Sequence, residues 1–89
     1  MEINEYRKMI DGIDDSLIQL FCKRMRISAD IARHKKSTGL AVRDPEREDE
    51  KMAEVASKTD EDLRLYAQAL YATVIAVSCA YQEKIIKEA

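Results

Sequence analysis

The sequence has few of the residues that interrupt regular structure. Its 89 residues include only two glycines and one proline, the residue types that mark most turns. A fold of many short strands needs many turns, so this shortage argues against it and favours a few long helices. The length predicts a single domain over residues 1–89. With 46% hydrophobic and 36% charged residues, the composition is typical of a folded, soluble, all-α protein.

Cysteine and histidine are also scarce. Cys22 and Cys79 are isolated, without CxxC spacing, and His34 is the only histidine. This pattern argues against a zinc site or a disulfide framework, and it predicts reduced core thiols in a cytoplasmic protein without a metal. The formal net charge of -2 argues against a protein that binds nucleic acid.

Two segments bear on membrane targeting. Residues 1–9 carry charges throughout and lack the apolar core of a secretory signal. Residues 65–82 carry no charge, and a run of this length invites a transmembrane interpretation. Glutamine, threonine, serine and tyrosine side chains interrupt the run. The segment is therefore predicted to be a central helix that is buried by other protein, without contact with a membrane.

The first predicted helix carries an apolar stripe at intervals of three and four residues. Asn4 is a suitable N-cap and Gly39 a suitable residue after the last turn, so the helix should run from about residue 5 to about residue 37. The stripe consists of Ile3, Tyr6, Ile10, Ile13, Leu17, Leu20, Ile27 and Ile31, with Arg24 in the middle.

Two further helices follow. Asp44 as N-cap and Pro45 at the first helical position begin a second helix over about residues 45–57. After a polar break, Thr59 or Asp60 can cap a third helix that continues to near the C-terminus.

The first helix is too long for its own domain. At 1.5 Å per residue it spans roughly 50 Å, whereas a compact chain of this size has a radius of gyration of about 12 Å. An amphipathic helix that extends beyond its core must bury its apolar face elsewhere, and a second copy of the chain is the simplest partner. The sequence therefore predicts three-helix protomers intertwined as a six-helix homodimer.

Several polar residues do not fit a plain core. A guanidinium at Arg24, within the apolar stripe, needs an anion, supplied either by an acidic residue that fixes helix register or by a ligand. Arg24, Ser28 and Lys35 share one face of the first helix, and Ser78 and Gln82 share one face of the third. Taken singly, Lys35 also suits a solvated helix end, Ser78 a bond to its own backbone, and Gln82, Arg47 and Glu48 the surface.

As a set, these residues resemble the all-helical class of chorismate mutases. The resemblance rests on order and spacing across nearly the whole chain: Tyr6-Arg7-Lys8, Ile13-Asp14, Arg24, Lys35, Val42-Arg43-Asp44, Arg47-Glu48, Ser78 and Gln82. It implies an intertwined dimer with two active sites, each drawing on both chains. It also implies the Claisen rearrangement of chorismate, a small dicarboxylate, to prephenate on the route to phenylalanine and tyrosine.

The resemblance implies a role for each matched residue. Arg24 would bind one substrate carboxylate, with help from Ser78, and Arg7 of the other protomer would bind the second. Lys35 and Gln82 would donate hydrogen bonds to the ether oxygen. Glu48, with the backbone near Asp44, would hold the ring hydroxyl, and Arg47 would add positive field. No cofactor is expected, because a pericyclic rearrangement needs neither a nucleophile nor a metal.

Two other functions remain open at this stage. An isochorismate-pyruvate lyase of the same fold handles a similar dianion, although Asp44 and Glu48 match the hydroxyl contacts of the mutases. A non-catalytic helical dimerisation or regulatory domain is the alternative from a different class. The resemblance also leaves open whether the chain is a complete small enzyme or the mutase portion of a longer polypeptide.

Overall fold

The computed structural model describes residues 1–88, and these form three helices and no strand. Helix α1 spans Ile3–Thr38, α2 spans Pro45–Ser57 and α3 spans Arg64–Glu88, with a single turn of 3-10 helix at Glu61–Leu63 before α3. The predicted all-α protomer with one very long N-terminal helix is confirmed.

Helix α1 begins two residues earlier than predicted, and Asn4 is not its cap. Glu2 is the capping residue, and its backbone N–H donates to a side-chain oxygen of Glu5 at 3.2 Å. The other end is as predicted. Gly39 has φ of 74°, a left-handed conformation that glycine adopts without steric cost, and its N–H donates to the carbonyl of Lys35.

The short helix α2 has the predicted bounds. The Asp44 side chain accepts a hydrogen bond from the backbone N–H of Arg47 at 3.1 Å, and Pro45 occupies the first turn. The connection to α3 was predicted less well. The Thr59 hydroxyl donates back to the Val55 carbonyl and caps no helix. Asp60 precedes the 3-10 turn, where its backbone carbonyl accepts from the N–H of Leu63 and its side chain makes no capping bond.

An arginine closes the junction between α2 and α3. The Arg64 guanidinium donates to the Ala56 carbonyl at 2.8 Å and to the Thr59 carbonyl at 3.2 Å. These are backbone acceptors at and beyond the end of α2 that the helix itself cannot satisfy. Arg64 therefore fixes the direction in which α3 leaves α2.

The small core lies at one end of the protomer. The C-terminal half of α1 packs against α3, which also packs against α2. The buried apolar residues are small or medium in size: Ala29, Ala32, Val55 and Cys79. The N-terminal half of α1 extends away from this core, which gives the protomer a length of 54 Å and a radius of gyration of 16.2 Å.

The apolar stripe of α1 is uncovered in the protomer. Ile13 is 56% exposed and Leu17 55% exposed, and exposed apolar surface of this kind marks an interaction site. Other large apolar side chains of the stripe are similarly exposed: Ile3, Tyr6, Ile10, Leu20, Ile27 and Ile31.

The third helix is apolar on several sides. Together with the preceding turn, the segment Glu61–Glu88 is long and apolar enough to cross a membrane by length and composition alone. Only 11% of its most apolar stretch is buried within the protomer. The predicted burial of this helix by other protein is therefore not provided within the single protomer.

Candidate active site

A cavity of about 360 Å³ lies between the C-terminal half of α1, helix α2 and helix α3. Seven of the eight predicted site residues line it: Arg24, Lys35, Asp44, Arg47, Glu48, Ser78 and Gln82. They come from three helices and one loop, so the fold brings together residues that lie far apart in the sequence.

The Lys35 ammonium group joins two walls of this cavity. It donates to the Val42 carbonyl at 2.6 Å and to Oε1 of Gln82 at 3.0 Å. Since an ammonium group has three N–H donors, these two bonds hold it in place and leave one donor for a ligand. Lys35 is half-buried, so the interpretation of a fully solvated helix-end lysine is wrong.

A buried polar cluster continues from Gln82 into the protomer. Nε2 of Gln82 lies 3.4 Å from the Ser78 hydroxyl, which in turn lies 2.6 Å from the Ser28 hydroxyl. The exposed fractions are 6% for Gln82, 6% for Ser78 and 3% for Ser28. Gln82 is therefore not a surface residue, and Ser78 bonds to Gln82 on its own helix and to Ser28 on α1.

Glu48 is held by Arg43, a loop residue for which no role was predicted. Nε of Arg43 donates to one carboxylate oxygen at 2.9 Å, and a terminal nitrogen donates to the other at 2.5 Å. This hydrogen bonding, followed by the charge of Arg43, the backbone N–H bond at Asp44 and the charge of Lys35, lowers the pKa of Glu48 against the opposing effect of burial. The carboxylate is therefore fixed in its ionised form, which accepts hydrogen bonds.

Arg24 lines the cavity without a protein anion. Among residues 1–88 of the protomer, no carboxylate forms an ion pair with its guanidinium. The hypothesis of a register-fixing acid within the same chain therefore finds no support. A half-buried guanidinium that faces a cavity is suited to an anionic ligand.

Arg7 is the one predicted site residue outside the cavity lining. It lies seventeen residues before Arg24 on the same helix, which corresponds to roughly 25 Å along the axis. A single protomer therefore cannot bring Arg7 to this cavity.

Sequence reasoning missed one further cation of the cavity. Lys51 lines it, and its ammonium group lies 2.9 Å from Glu54, whose other oxygen lies 2.7 Å from Lys58. Hydrogen bonds from Lys58 and Lys51, together with their charges, lower the pKa of Glu54 to about 2. Helical spacing could have identified Lys51, which follows Arg47 by four residues and so shares its face of α2.

The electrostatic character of the cavity follows from these residues. The cations Arg24, Lys35, Arg47 and Lys51 line it against two anions, Asp44 and Glu48. The thiol of Cys79 is buried as predicted and also lines the cavity. Cys22 was predicted to be a core thiol too, but it is exposed in the protomer. Among residues 1–88, no group of three His, Cys, Asp or Glu side chains is placed to bind a metal ion. The arrangement suits a small organic anion that also presents a hydroxyl group.

Two comparisons with known proteins indicate the same family. The family model described as chorismate mutase type II matches residues 6–83. A chorismate mutase of Methanocaldococcus jannaschii is 38% identical over 47 residues, which are 53% of this chain and 48% of that protein. The match thus spans about half the length of this curated relative. No solved structure matches the chain significantly.

Proposed function

Because the chain belongs to the type II chorismate mutase family, we propose that it catalyses the rearrangement of chorismate to prephenate in the synthesis of phenylalanine and tyrosine. The observation that carries this proposal is the Lys35–Gln82 pair in a cationic cavity: the ammonium group donates to Oε1 of Gln82, and each of the two side chains keeps an N–H for a ligand. We place the activity in one domain, residues 1–89, of a cytoplasmic protein.

The proposed reaction requires the protein to provide only a complementary shape and complementary charge. In the Claisen rearrangement a carbon–oxygen bond breaks while a carbon–carbon bond forms in the same molecule, and no group is added or removed. Catalysis then depends on holding the compact substrate conformer and on stabilising the negative charge that develops at the ether oxygen. Lys35 supplies a charged donor for that oxygen, and the second N–H of the Gln82 amide supplies a neutral one.

The remaining residues position the substrate. Arg24 and Ser78 bind one carboxylate, for which a planar guanidinium offers two parallel donors. The ionised Glu48 accepts a hydrogen bond from the ring hydroxyl, next to the backbone at Asp44. Arg47 lies at the exposed rim, where its charge attracts the dianion.

The functional unit in this proposal is a homodimer. The uncovered stripe of α1, the exposed apolar surface of α3 and the distance between Arg7 and Arg24 support it together. Intertwining two protomers would bury both surfaces and would carry Arg7 of each chain into the cavity of the other. The result is six helices with two shared active sites, and each site has one arginine for each of the two substrate carboxylates.

The direct test is turnover by the purified protein. We expect the absorbance of chorismate to decrease and prephenate to accumulate at micromolar protein concentration, without added metal or cofactor. Isochorismate serves as the second substrate: release of pyruvate from it, with chorismate left unchanged, would indicate the lyase. No reaction with either substrate would favour a non-catalytic helical domain and would contradict the proposal.

Replacing Gln82 with glutamate should make the activity depend on acid. A carboxyl group donates a hydrogen bond only when protonated, whereas an amide donates throughout the ordinary pH range. We expect kcat/KM of Gln82→Glu to increase as the pH falls from about 8 to about 5, whereas residue 82 contributes no such trend in the parent. Gln19→Glu, the same change at an exposed position of α1, is the control, and a pH profile of Gln82→Glu that matches this control would count against the role of Gln82.

Removing Arg43 should shift the acid limb of the pH profile. Arg43 lowers the pKa of Glu48, so in Arg43→Ala this pKa rises toward its ordinary value and the carboxylate becomes protonated at a higher pH. Because only the ionised form accepts a hydrogen bond from the substrate hydroxyl, kcat/KM should begin to fall at a higher pH than in the parent. The measurement is kcat/KM from about pH 4 to pH 7.

The control for this experiment is Arg33→Ala. It also removes an arginine from an ion pair, the exposed pair with Asp30 at 3.1 Å, but Arg33 does not line the cavity. Coincident acid limbs for the parent, Arg33→Ala and Arg43→Ala would show that Arg43 does not control the ionisation of Glu48.

A further inference from the structure

Ser28 is a buried hydroxyl for which the proposed mechanism has no use. It is 3% exposed, and its oxygen lies 2.6 Å from that of Ser78 across the α1–α3 interface. We propose that Ser28 is a positioning residue: it donates its proton to Ser78 and thereby turns the Ser78 proton into the cavity, toward a substrate carboxylate. This inference rests on the proposed function for the identity of the ligand.

The orientation of the Gln82 amide is the first step. An ammonium group has donors and no acceptor, so the Gln82 atom 3.0 Å from Lys35 must be the amide oxygen. The amide nitrogen then faces Ser78, and it donates to the Ser78 hydroxyl oxygen at 3.4 Å. Lys35 thus determines that Ser78 accepts a hydrogen bond from Gln82.

The second step concerns the single proton of Ser78. A serine hydroxyl has one donor and two acceptor positions, and Gln82 occupies one acceptor position. If Ser28 donates, both acceptor positions of Ser78 are filled and its proton is available to the cavity. If Ser78 donates to Ser28 instead, it presents only a lone pair to the cavity, which repels a carboxylate. A bound anion therefore favours the arrangement in which Ser28 is the donor.

The third step is that Ser28 acts through Ser78. Among residues 1–88, its hydroxyl has one hydrogen-bond partner, the Ser78 hydroxyl. Ser28 also lies four residues after Arg24 on the same helix face. Arg24, Ser28 and Ser78 all line the same cavity, so the Ser78 proton and the Arg24 guanidinium can serve one carboxylate.

The test compares Ser28→Ala, Ser78→Ala and the double variant. The probe is prephenate, a dicarboxylate that the protein does not consume, and calorimetry gives its dissociation constant. We expect Ser28→Ala to raise this constant about three- to tenfold, the usual effect of losing one hydrogen bond. We also expect it to raise the KM for chorismate similarly with little change in kcat. Since Ser28 acts through Ser78, adding Ser28→Ala to Ser78→Ala should change neither constant further.

A matched control and a second substitution keep the outcome clear. Ser16→Ala removes an exposed hydroxyl from the same helix and should leave both constants unchanged. If Ser28→Ala proves unfolded by circular dichroism, Ser28→Cys fills the site with a slightly larger side chain and a much weaker donor and should show the same increase. Equal constants for the parent and the folded variant, or independent effects in the double variant, would overturn the role of Ser28. Prephenate binding without turnover by the parent would instead contradict the proposed function alone.

Discussion

Substitution of Lys35 by alanine should reduce kcat/KM by about a hundred- to a thousandfold, the range found when a donor to developing negative charge is removed. Lys35 is the only charged donor assigned to the ether oxygen, and the neutral Gln82 amide cannot replace its charge. The loss should include a component from Gln82 itself. Without the bond from Lys35 to its Oε1 atom, only the 3.4 Å bond from Nε2 to Ser78 holds the amide in the orientation in which it donates.

The measurement is steady-state kinetics at saturating and limiting chorismate, with circular dichroism to check the helix content. Lys84→Ala, which removes an exposed lysine from α3, is the control and should behave as the parent. A Lys35→Ala protein that is folded and retains more than about a tenth of the parental kcat/KM would contradict the assignment of Lys35 to the reacting oxygen.

Those parts of the fold that depend on local signals could be predicted from the sequence. The bounds of α2 follow from Asp44 and Pro45, and the end of α1 follows from Gly39, because capping and backbone preferences act over a few residues. The start of α1 was missed because it is capped by a bond from the backbone N–H of Glu2 to the side chain of Glu5. Glutamate also occurs at many surface positions, so its presence does not by itself indicate the start of a helix. The role of Arg64 was missed because its acceptors are backbone carbonyls at and beyond the end of another helix.

The candidate site could also be predicted only in part from the sequence. Helical spacing placed Arg24 with Lys35, and Ser78 with Gln82, on common faces, and the structure brings both faces to one cavity. The same spacing indicates Lys51 once α2 is known to line that cavity. Spacing cannot reveal that Arg43 binds Glu48, because Arg43 lies in a loop without periodicity. It also cannot pair Ser28 with Ser78, since that contact depends on how α1 and α3 are packed.

Mixing two inactive variants should restore activity if the active sites are shared between chains. In the proposed dimer each site takes Arg24 from one protomer and Arg7 from its partner. Arg7→Ala and Arg24→Ala each remove a carboxylate ligand, so each homodimer should lose activity by about a hundredfold. When the two variants are unfolded and refolded together, a heterodimer contains one site with both arginines and one site with neither.

The expected recovery can be calculated from symmetry. Random pairing makes half of the dimers mixed, and one of the two sites in each is intact, so the mixture should reach about a quarter of the parental activity. The control is a mixture of Arg24→Ala with Lys35→Ala. Both residues belong to the same protomer's half of the site, so every site in this mixed dimer lacks one of them and no recovery is expected. Recovery in neither mixture would contradict sharing of the site, whereas recovery in the first alone requires both a dimer and the crossing of Arg7 into the partner's cavity.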